Sequence, residues 1–276
     1  MLLSIMRIIA RSILNLVISI SLSLGLLAGT VKFQLLDYNF WKTSFEKHDV
    51  YQNLAAASRS SLDSQIENKG GKKSDARVFT DLITTENVRD FLDKNIKNTL
   101  SFMNGKSLEL YVYLPVKIIP NGLLPKNLTA SQGDIPLQDL LTKLNYQNVE
   151  SLPIKNLSRV EYYATLVLVC SILLLAVAIY LSVLLVEEGR RFTSLGVTML
   201  LFGLSTFFVS RVGGRLGSFP SADPTGTPSF ASVLVNGILP PLVDGFTVSW
   251  SIVGVAFIVI GLALFFVRKP RYNIPK

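Results

Sequence analysis

The chain has 276 residues, of which 49% are hydrophobic and 17% are charged, and its mean hydropathy is +0.43. A soluble protein of this length is rarely so apolar, so the composition indicates membrane-spanning segments. The formal net charge of +8 would be compatible with a nucleic-acid partner. However, residues 32–159 hold 17 Lys and Arg against 14 Asp and Glu, which is a mixed surface with little net charge. Because the other positive charges cluster where apolar runs end, we expect the lipid bilayer as their partner and no nucleic acid.

The residues that carry chemistry are few. Cys170 is the single cysteine and His48 the single histidine, which excludes an intrachain disulfide and gives a zinc site no support. No motif for a reaction, a cofactor or a phosphate-binding loop is present. We therefore expect no catalytic, cofactor-binding or metal-binding residues.

Residues 1–31 predict the first transmembrane helix. Arg7 and Arg11 precede an apolar run from Ser12 to Val31, which is the layout of a signal sequence. The run is longer than a usual signal-peptide core and residues 27–29 match a cleavage site poorly, so we predict an uncleaved signal anchor. A cleaved signal peptide is the alternative.

Residues 32–159 form the one polar segment long enough to bury a core of its own. Asp37 is a predicted N-cap for one bent helix or two, and Thr84 or Thr85 begins a helix that ends at Asn104-Gly105. Apolar residues alternate over 108–114, which predicts a strand with one buried face. An irregular stretch follows, and then a short helix over 137–144, so the segment is predicted to be a helix-rich α+β domain.

Residues 160–210 predict a transmembrane helical hairpin. Apolar runs at 162–186 and 192–209 are each long enough to cross a bilayer, and the charged break between them holds Arg190 and Arg191. Gly196 and Gly203 are seven residues apart and share a helix face, so we expect them to allow close helix packing.

The last part of the chain predicts an outer loop and a fourth span. In loop 211–245, Arg211 and Arg215 are expected to anchor the chain at the membrane interface; an anion-binding nest formed with the nearby glycines is the alternative. Residues 229–239 are apolar but too short to span, which predicts an interfacial or re-entrant helix that Pro240-Pro241 stops. The fourth span is predicted over 246–267, followed by the tail 268–276 with Arg268 as a further anchor.

Four spans place both termini on the same side of the membrane. Positive residues near span ends number eight on that side and four on the other, so both termini are expected in the cytoplasm and residues 32–159 outside it, in a plasma (inner) membrane. The eight are Arg7, Arg11, Arg190, Arg191, Arg268, Lys269, Arg271 and Lys276, and the four are Lys32, Arg159, Arg211 and Arg215. No acidic residue lies in the middle of the last three predicted spans, which argues against a pump or an ion-coupled transporter.

Two blocks of sequence resemble a known group. They are LDYNFWKTSFEKHDVYQNL with LITTENVRDFLDKNIKNTLSFMNGKSLELYVYLPV, and LLVEEGRRFTSLGVTMLLFGL. They resemble uncharacterised bacterial four-span membrane proteins that carry one large extracytoplasmic domain between spans 1 and 2. This resemblance implies an architecture and no activity. The layout is also similar to that of claudins, but the paired cysteines of that family are missing.

The predicted fold class is therefore membrane all-α, with four transmembrane helices and an inserted α+β extracytoplasmic domain. We expect a non-enzymatic structural, sensing or assembly component whose outer domain binds another envelope protein or a second copy. One alternative is a subunit of an oligomeric transporter or channel, with Asn15, Ser19 and Ser23 as the polar stripe. The other is an envelope enzyme that uses Asp81, Asp90 or Asp93, of which the last two share a helix face.

Overall fold

The structure, a computed structural model, describes residues 2–68, 80–114, 133–143, 154–185, 191–216 and 230–267. Helices dominate these residues and two short strands form one sheet. The helices are α1 (Leu2–Thr30) with a π-helical extension at Val31–Leu35, α2 (Tyr38–Lys47), α3 (Val50–Asn68), α4 (Thr85–Met103), α5 (Leu137–Lys143), α6 (Ile154–Leu157), α7 (Val160–Leu185), α8 (Arg191–Leu216) and α9 (Phe230–Phe266). The strands are β1 (Tyr111–Tyr113) and β2 (Asp134–Pro136).

Four helical stretches in the described residues are long and apolar enough to cross a membrane. They are Ile8–Leu35, Val160–Leu185, Phe192–Gly213 and Gly237–Phe266. Their length and composition confirm the predicted four-span layout at that level. The chain divides into two compact units, which we call the bundle (residues 1–31, 164–216 and 244–276) and the polar unit (residues 32–163 and 217–243).

Helix α8 is the central helix of the bundle. The buried share of its candidate span is 44%, against 22% in α1, 17% in α7 and 11% in α9. The bundle core joins Leu14, Ile18 and Leu22 of α1 to Ala178 of α7 and to Leu195, Met199 and Phe202 of α8. Large apolar side chains on the outer faces, such as Ile252 and Phe266, remain exposed, as expected where lipid covers the protein.

Helices α8 and α9 pack with their backbones in direct contact at four glycines. A Cβ atom added to Gly196 would lie 2.9 Å from the carbonyl oxygen of Gly261, and one added to Gly203 would lie 2.7 Å from that of Gly254. The same holds from the other side, since a Cβ on Gly261 would lie 2.7 Å from the backbone nitrogen of Leu200. We call these four residues the glycine seam. The two glycines of each helix are seven residues apart. Because Gly196 faces Gly261 while Gly203 faces Gly254, the two helices run antiparallel along the seam.

Small residues at the same spacing also line the buried face of α7. These are Ala164, Ser171 and Ala178, with Ser182 one turn further. A Cβ added to Gly25 of α1 would lie 3.1 Å from Ser171 Oγ. In lipid the hydrophobic effect contributes little to the association of helices. Such close approach therefore supplies the van der Waals contacts that hold helices together.

Helix α9 contradicts the predicted break at Pro240-Pro241. The helix runs unbroken from Phe230 to Phe266 with both prolines inside it, so the segment expected as a separate re-entrant or interfacial helix is the first part of α9. Two missing N–H donors weaken a helix locally. However, Pro241 and Leu242 are buried, and Gly237 packs so closely on Leu54 that an added Cβ atom would lie 3.0 Å from Leu54 Cδ2. This tertiary packing outweighs the local proline signal.

The polar unit is built around α2, α3 and α4. Asp37 and Thr84 are N-caps whose side chains accept from the backbone N–H groups of Asn39 and Asn87, as predicted. Asp49, with φ 53°, separates α2 from α3, so two helices form rather than one bent helix. Gly105 follows α4 with φ +66°, a left-handed conformation that glycine adopts without strain. The core residues of the unit are Phe45, Val50, Tyr51, Leu54, Ala55, Leu92, Leu100 and Phe102.

The two strands form a small antiparallel ribbon that differs from the prediction. Tyr111 pairs with Pro136, Val112 with Ile135 and Tyr113 with Asp134. The expected strand over 108–114 is therefore only three residues long, and β2 falls in a stretch that was expected to be irregular. Leu108, which the alternation placed on a buried face, is 97% exposed. The alternation is wrong here because the strand has one short partner and begins only at Tyr111, after Leu108.

The glycine seam makes a testable prediction for stability. Alanine has the better helix propensity, by about 1 kcal/mol, so an unpacked glycine gains stability from the change. Gly203→Ala is nevertheless expected to lose about 1–3 kcal/mol, because its Cβ would overlap backbone atoms at 2.7 Å. Thermal unfolding of the full chain in detergent micelles measures the effect.

The matched control is Gly213→Ala in the same helix, whose Cβ would meet Thr247 Cγ2 at an ordinary 3.8 Å. It is expected to be neutral or stabilising. Equal melting temperatures for the two variants would contradict the seam.

Candidate functional site

A groove of the polar unit lies beside the ribbon, and we call it the ribbon groove. It has a volume of about 290 Å³. Its lining residues come from the end of α4, the 107–110 segment, β2 and the start of α5: Phe102, Leu108, Glu109, Leu110, Leu137 and Asp139, with Pro136 and Gln138. Phe102 is 4% exposed and closes the inner side, while Leu108 projects from the rim.

Local chain chemistry places the groove. The backbone N–H groups of Asn104 and Gly105 bond to carbonyls of the last turn of α4, and the left-handed Gly105 reverses the chain toward β1. Ser107 Oγ donates to the Glu109 carbonyl at 2.6 Å, and the Leu137 N–H donates to the Leu110 carbonyl at 2.7 Å. These bonds hold the 107–110 segment next to α5.

Side-chain amides of α4 hold the ribbon in place. Asn95 Nδ2 donates to the Tyr113 carbonyl and the Tyr113 N–H donates to Asn95 Oδ1, both at 3.0 Å. Asn98 Nδ2 donates to Asp134 Oδ1, also at 3.0 Å. The Asn95 amide thus satisfies the backbone N–H and carbonyl of Tyr113 on the outer edge of β1, as the backbone of a third strand would. A two-stranded ribbon is marginal alone, so the ribbon and the groove depend on these bonds.

The rim of the groove is negative. Glu109 and Asp139 both line it. The charge of Glu109 is the main reason that the pKa of Tyr111 is raised, followed by a hydrogen bond to the same carboxylate, with a smaller contribution from Asp139. A raised phenol pKa is the sign of a local negative potential. The groove therefore combines an exposed leucine with two carboxylates.

A second cluster fixes α4 against α2 and α3. Tyr51 OH donates to Asp93 Oδ1 at 2.7 Å, and Tyr38 is hydrogen-bonded to the same carboxylate. Arg89 lies over the Tyr51 ring at 5.0 Å and pairs with Glu46 at 3.3 Å. Burial, and then the Asp93 hydrogen bond, raises the pKa of Tyr38 to about 12. The same causes raise the pKa of Tyr51.

The carboxylates weighed as catalytic groups do not share one site. Asp93 is taken by the two tyrosines, while Asp90 points to solvent and pairs with Lys94 at 3.0 Å. Asp81 is exposed in the turn before α4. Within the described ranges, no three His, Cys, Asp or Glu side chains lie close enough to hold a metal ion.

The predicted membrane residues have the following positions. Arg191 begins α8 and Arg211 and Arg215 lie near its end; because this stretch is helical to Leu216, the alternative of a glycine-rich anion nest there is wrong. Arg190 and Arg268 lie outside the described residues. Gly196 and Gly203 lie in the glycine seam, while their partners Gly254 and Gly261 were missed, although these are also seven residues apart.

The polar residues of the first span differ in their contacts. Asn15 Nδ2 lies 3.4 Å from Ser194 Oγ of α8, and Arg11 Nε donates to the same hydroxyl at 2.7 Å. Ser23 Oγ is exposed and donates back to the Ser19 carbonyl. Asn15 therefore contributes to helix packing in this structure.

The longer α9 also changes the polar content of the last span. Asp244 was expected just before the span, but the candidate span begins at Gly237 and so includes it. It lines a cavity of about 370 Å³ with Ser210, Arg211, Thr247 and Ser251, next to Val248 and Ile252. The sequence shows this acidic residue four positions after Pro240, but the predicted helix break at Pro240-Pro241 excluded it from the predicted span.

The chain matches no family model, no curated protein and no solved structure.

The tyrosine cluster predicts a loss of stability at high pH. Because burial and Asp93 raise both phenol pKa values above the ordinary 10.0, the folded state binds these protons more tightly than the unfolded state. The contribution is complete below pH 10 and declines as the pH rises above 10; the part that Tyr38 supplies is lost as the pH passes through about 12. Urea unfolding of the full chain in micelles between pH 8 and 12 measures it.

The comparison variant is Tyr38→Phe with Tyr51→Phe, which is expected to show a shallower decline above pH 10. Tyr162→Phe, on an exposed ring, is the control and should follow the unmodified chain. Three parallel curves would show that the cluster does not titrate in this way.

Proposed function

We propose that this chain is a non-enzymatic component of a bacterial plasma (inner) membrane, acting in structure, sensing or assembly, and that its polar unit binds another envelope protein through the ribbon groove. The observation that carries the proposal is Leu108, a large apolar side chain 97% exposed at the rim of a groove with an acidic edge. Such a side chain is a candidate anchor for association, because burying a leucine contributes about 1.5–3 kcal/mol.

The charges of the groove define the chemistry of the partner. Glu109 and Asp139 favour a segment that carries lysine or arginine next to an apolar side chain, since opposite potentials speed and orient association. The apolar side chain would contact Leu108 and Leu137, and the basic group would meet the carboxylates. We therefore propose an extended apolar and basic segment of the partner as the occupant.

Two features of the chain support placing the groove outside the cytoplasm. The positive residues near span ends favour cytoplasmic termini by eight to four. The four candidate spans then return the chain to the same side. On this proposal residues 32–159 are extracytoplasmic and meet partners of the envelope.

The groove is tested by site-specific photocrosslinking in cells. A photoreactive residue in place of Leu108 is expected to capture a partner whose crosslinked segment is apolar and basic. A synthetic peptide of that segment should bind the purified full chain, and Leu108→Ala or Glu109→Lys should weaken binding at least about tenfold. Mass spectrometry identifies the segment and fluorescence anisotropy measures the affinity.

The control probe replaces Leu157, which is 40% exposed in the same unit and does not line the groove. Equal capture at both positions, or a peptide that binds the Glu109→Lys variant unchanged, would refute the groove. An adduct of twice the chain mass would identify a second copy as the occupant and replace the proposed partner.

The side of the membrane is tested separately. Single cysteines at Lys72 and Lys276, in a Cys170→Ser background, are labelled in intact cells with an impermeant thiol reagent. We expect labelling at 72 and none at 276, because the charge distribution favours an outer position for residue 72 and a cytoplasmic one for residue 276. The opposite result would place the polar unit in the cytoplasm, and permeabilised cells serve as the control for reactivity.

A further inference from the structure

A second cavity of the bundle is lined by all four long helices, and we call it the mid-span cavity. Its volume is about 210 Å³. It is separate from the ribbon groove, because every lining residue that the structure describes belongs to the bundle. The residues that define its walls are Ser21 and Gly25 of α1, Ser171 and Ile172 of α7, Phe202 of α8 and Phe257 of α9.

Small residues leave this space open. Gly25 of α1 and Ser171 of α7 approach so closely that a Cβ atom on Gly25 would lie 3.1 Å from Ser171 Oγ. The glycine seam brings α8 and α9 into backbone contact in the same way, and the rings of Phe202 and Phe257 pack edge to face with centroids 5.0 Å apart. Each of these contacts is tight within itself, and the side chains at Gly25 and Ser171 are too short to fill the space beside them.

The cavity lies near the middle of the candidate spans. Its lining residue Leu22 comes 14 residues after the start and 13 before the end of the α1 span Ile8–Leu35. Its lining residue Phe202 comes 10 residues after the start and 11 before the end of the α8 span Phe192–Gly213. Because a hydrocarbon core is about 30 Å thick, this position is about 15 Å from either interface. Lipid chains reach this depth, whereas lipid headgroups do not.

The chemistry of the lining favours an apolar occupant over water. A buried water makes about three hydrogen bonds to polar partners. The polar side chains of the described lining are Ser21 and Ser171, and Ser171 Oγ already donates to the Leu168 carbonyl at 2.8 Å. An apolar cavity of about 150 Å³ stays dry and accepts a hydrocarbon such as benzene. A cavity of about 210 Å³ with this lining therefore suits a short segment of hydrocarbon.

The wall on α7 reaches the outer surface of the bundle. Ser171 is 3% exposed, whereas its neighbour Ile172, which also lines the cavity, is 56% exposed. Leu173 and Leu174, which follow on the outer face of α7, are exposed apolar side chains of the kind that lipid covers. An occupant can therefore enter from the hydrocarbon of the bilayer without passing a charged group.

We propose that the mid-span cavity binds the terminal segment of one acyl chain of a bilayer phospholipid, which enters past Ile172. Such a chain is apolar, comes from the bilayer and has its methyl end near the bilayer centre. It fills the space beside Gly25 and Ser171 and adds van der Waals contacts between α7 and the rest of the bundle. Because the headgroup stays at the interface, the site distinguishes lipids by the length of the chain and not by the headgroup.

The test uses the full chain in micelles of a bile-salt detergent, whose rigid rings do not imitate a flexible chain. A phosphatidylcholine with a diazirine at the methyl end of one acyl chain is added and irradiated, and mass spectrometry maps the adducts. We expect adducts on the peptides that hold the lining residues Leu22 and Ile172. The same lipid with the diazirine next to the ester should not label them, since only the end of a chain reaches this depth.

A matched pair of variants on α9 tests the cavity itself. Val253 lines the cavity, so Val253→Phe fills it and should reduce the methyl-end adducts about tenfold. It should also remove the rise in melting temperature that dimyristoyl phosphatidylcholine gives to the unmodified chain. Val255→Phe makes the same change at a residue that is 47% exposed and does not line the cavity, and it should keep both effects. The adduct map of the unmodified chain remains a test if Val253→Phe folds poorly.

Four outcomes would overturn the proposal. Equal labelling by the two probes, or unchanged labelling of Val253→Phe, would show that the chain end has no site there. Stabilisation by dihexanoyl phosphatidylcholine equal to that by the dimyristoyl lipid would remove the dependence on chain length. A dimyristoyl phosphatidylglycerol that stabilises much more or much less than the choline lipid would place the binding at the headgroups. A photoreactive residue in place of Ile172 that gives an adduct of twice the chain mass would identify a second copy as the occupant.

Discussion

Backbone contact between small residues at seven-residue spacing is the constraint on which the bundle depends. Each glycine of the seam faces another glycine across α8 and α9, and a single methyl group at Gly203 would overlap backbone atoms at 2.7 Å. A seven-residue repeat keeps a contact stripe in line only when helices cross at a small angle with left-handed supercoiling. The same spacing on α7, at Ala164, Ser171 and Ala178, extends this geometry to a second helix pair.

The seam also decides where polar chemistry can occur in the bundle. Where the backbones touch, there is no room for a ligand between the two helices. The polar clusters that join α8 to α1 or α9 lie toward the two ends of α8, with Arg11, Asn15 and Ser194 at one end and Ser210, Ser251, Arg211 and Asp244 at the other. At the first end the groups bond to one another and close the helix contact. At the second end Ser210, Arg211, Asp244 and Ser251 line a cavity, so the two polar clusters have different consequences.

Sequence reasoning succeeded where a feature depends on neighbours along the chain. Apolar run length predicted the spans, and the caps at Asp37, Thr84 and Gly105 follow from local backbone chemistry. It failed where the outcome depends on residues far apart. The continuity of α9 through Pro240 and Pro241 rests on packing, including Gly237 against Leu54, and the pairing of Tyr51 with Asp93 joins residues 42 positions apart. The ribbon groove shows the same limit, since alternation over 108–114 predicted a buried Leu108 and the short partner strand leaves it exposed.

The ribbon is the element of the polar unit with the least support from its own backbone, and this bears on how the groove can work. β1 and β2 share three residue pairs, and the edge of β1 is completed by the amide of Asn95. Because a partner bound at Leu108, Glu109 and Leu137 would touch both strands at one end of the ribbon and the start of α5, its binding free energy would add directly to the stability of these elements. Occupancy of the groove and order in the ribbon are therefore linked, and α4 carries that link to the Tyr38, Tyr51 and Asp93 cluster on its opposite side. Under the proposed function, a partner that stabilises the groove would also change the free energy of the core that α4 contacts, and this coupling is what a sensing role would need.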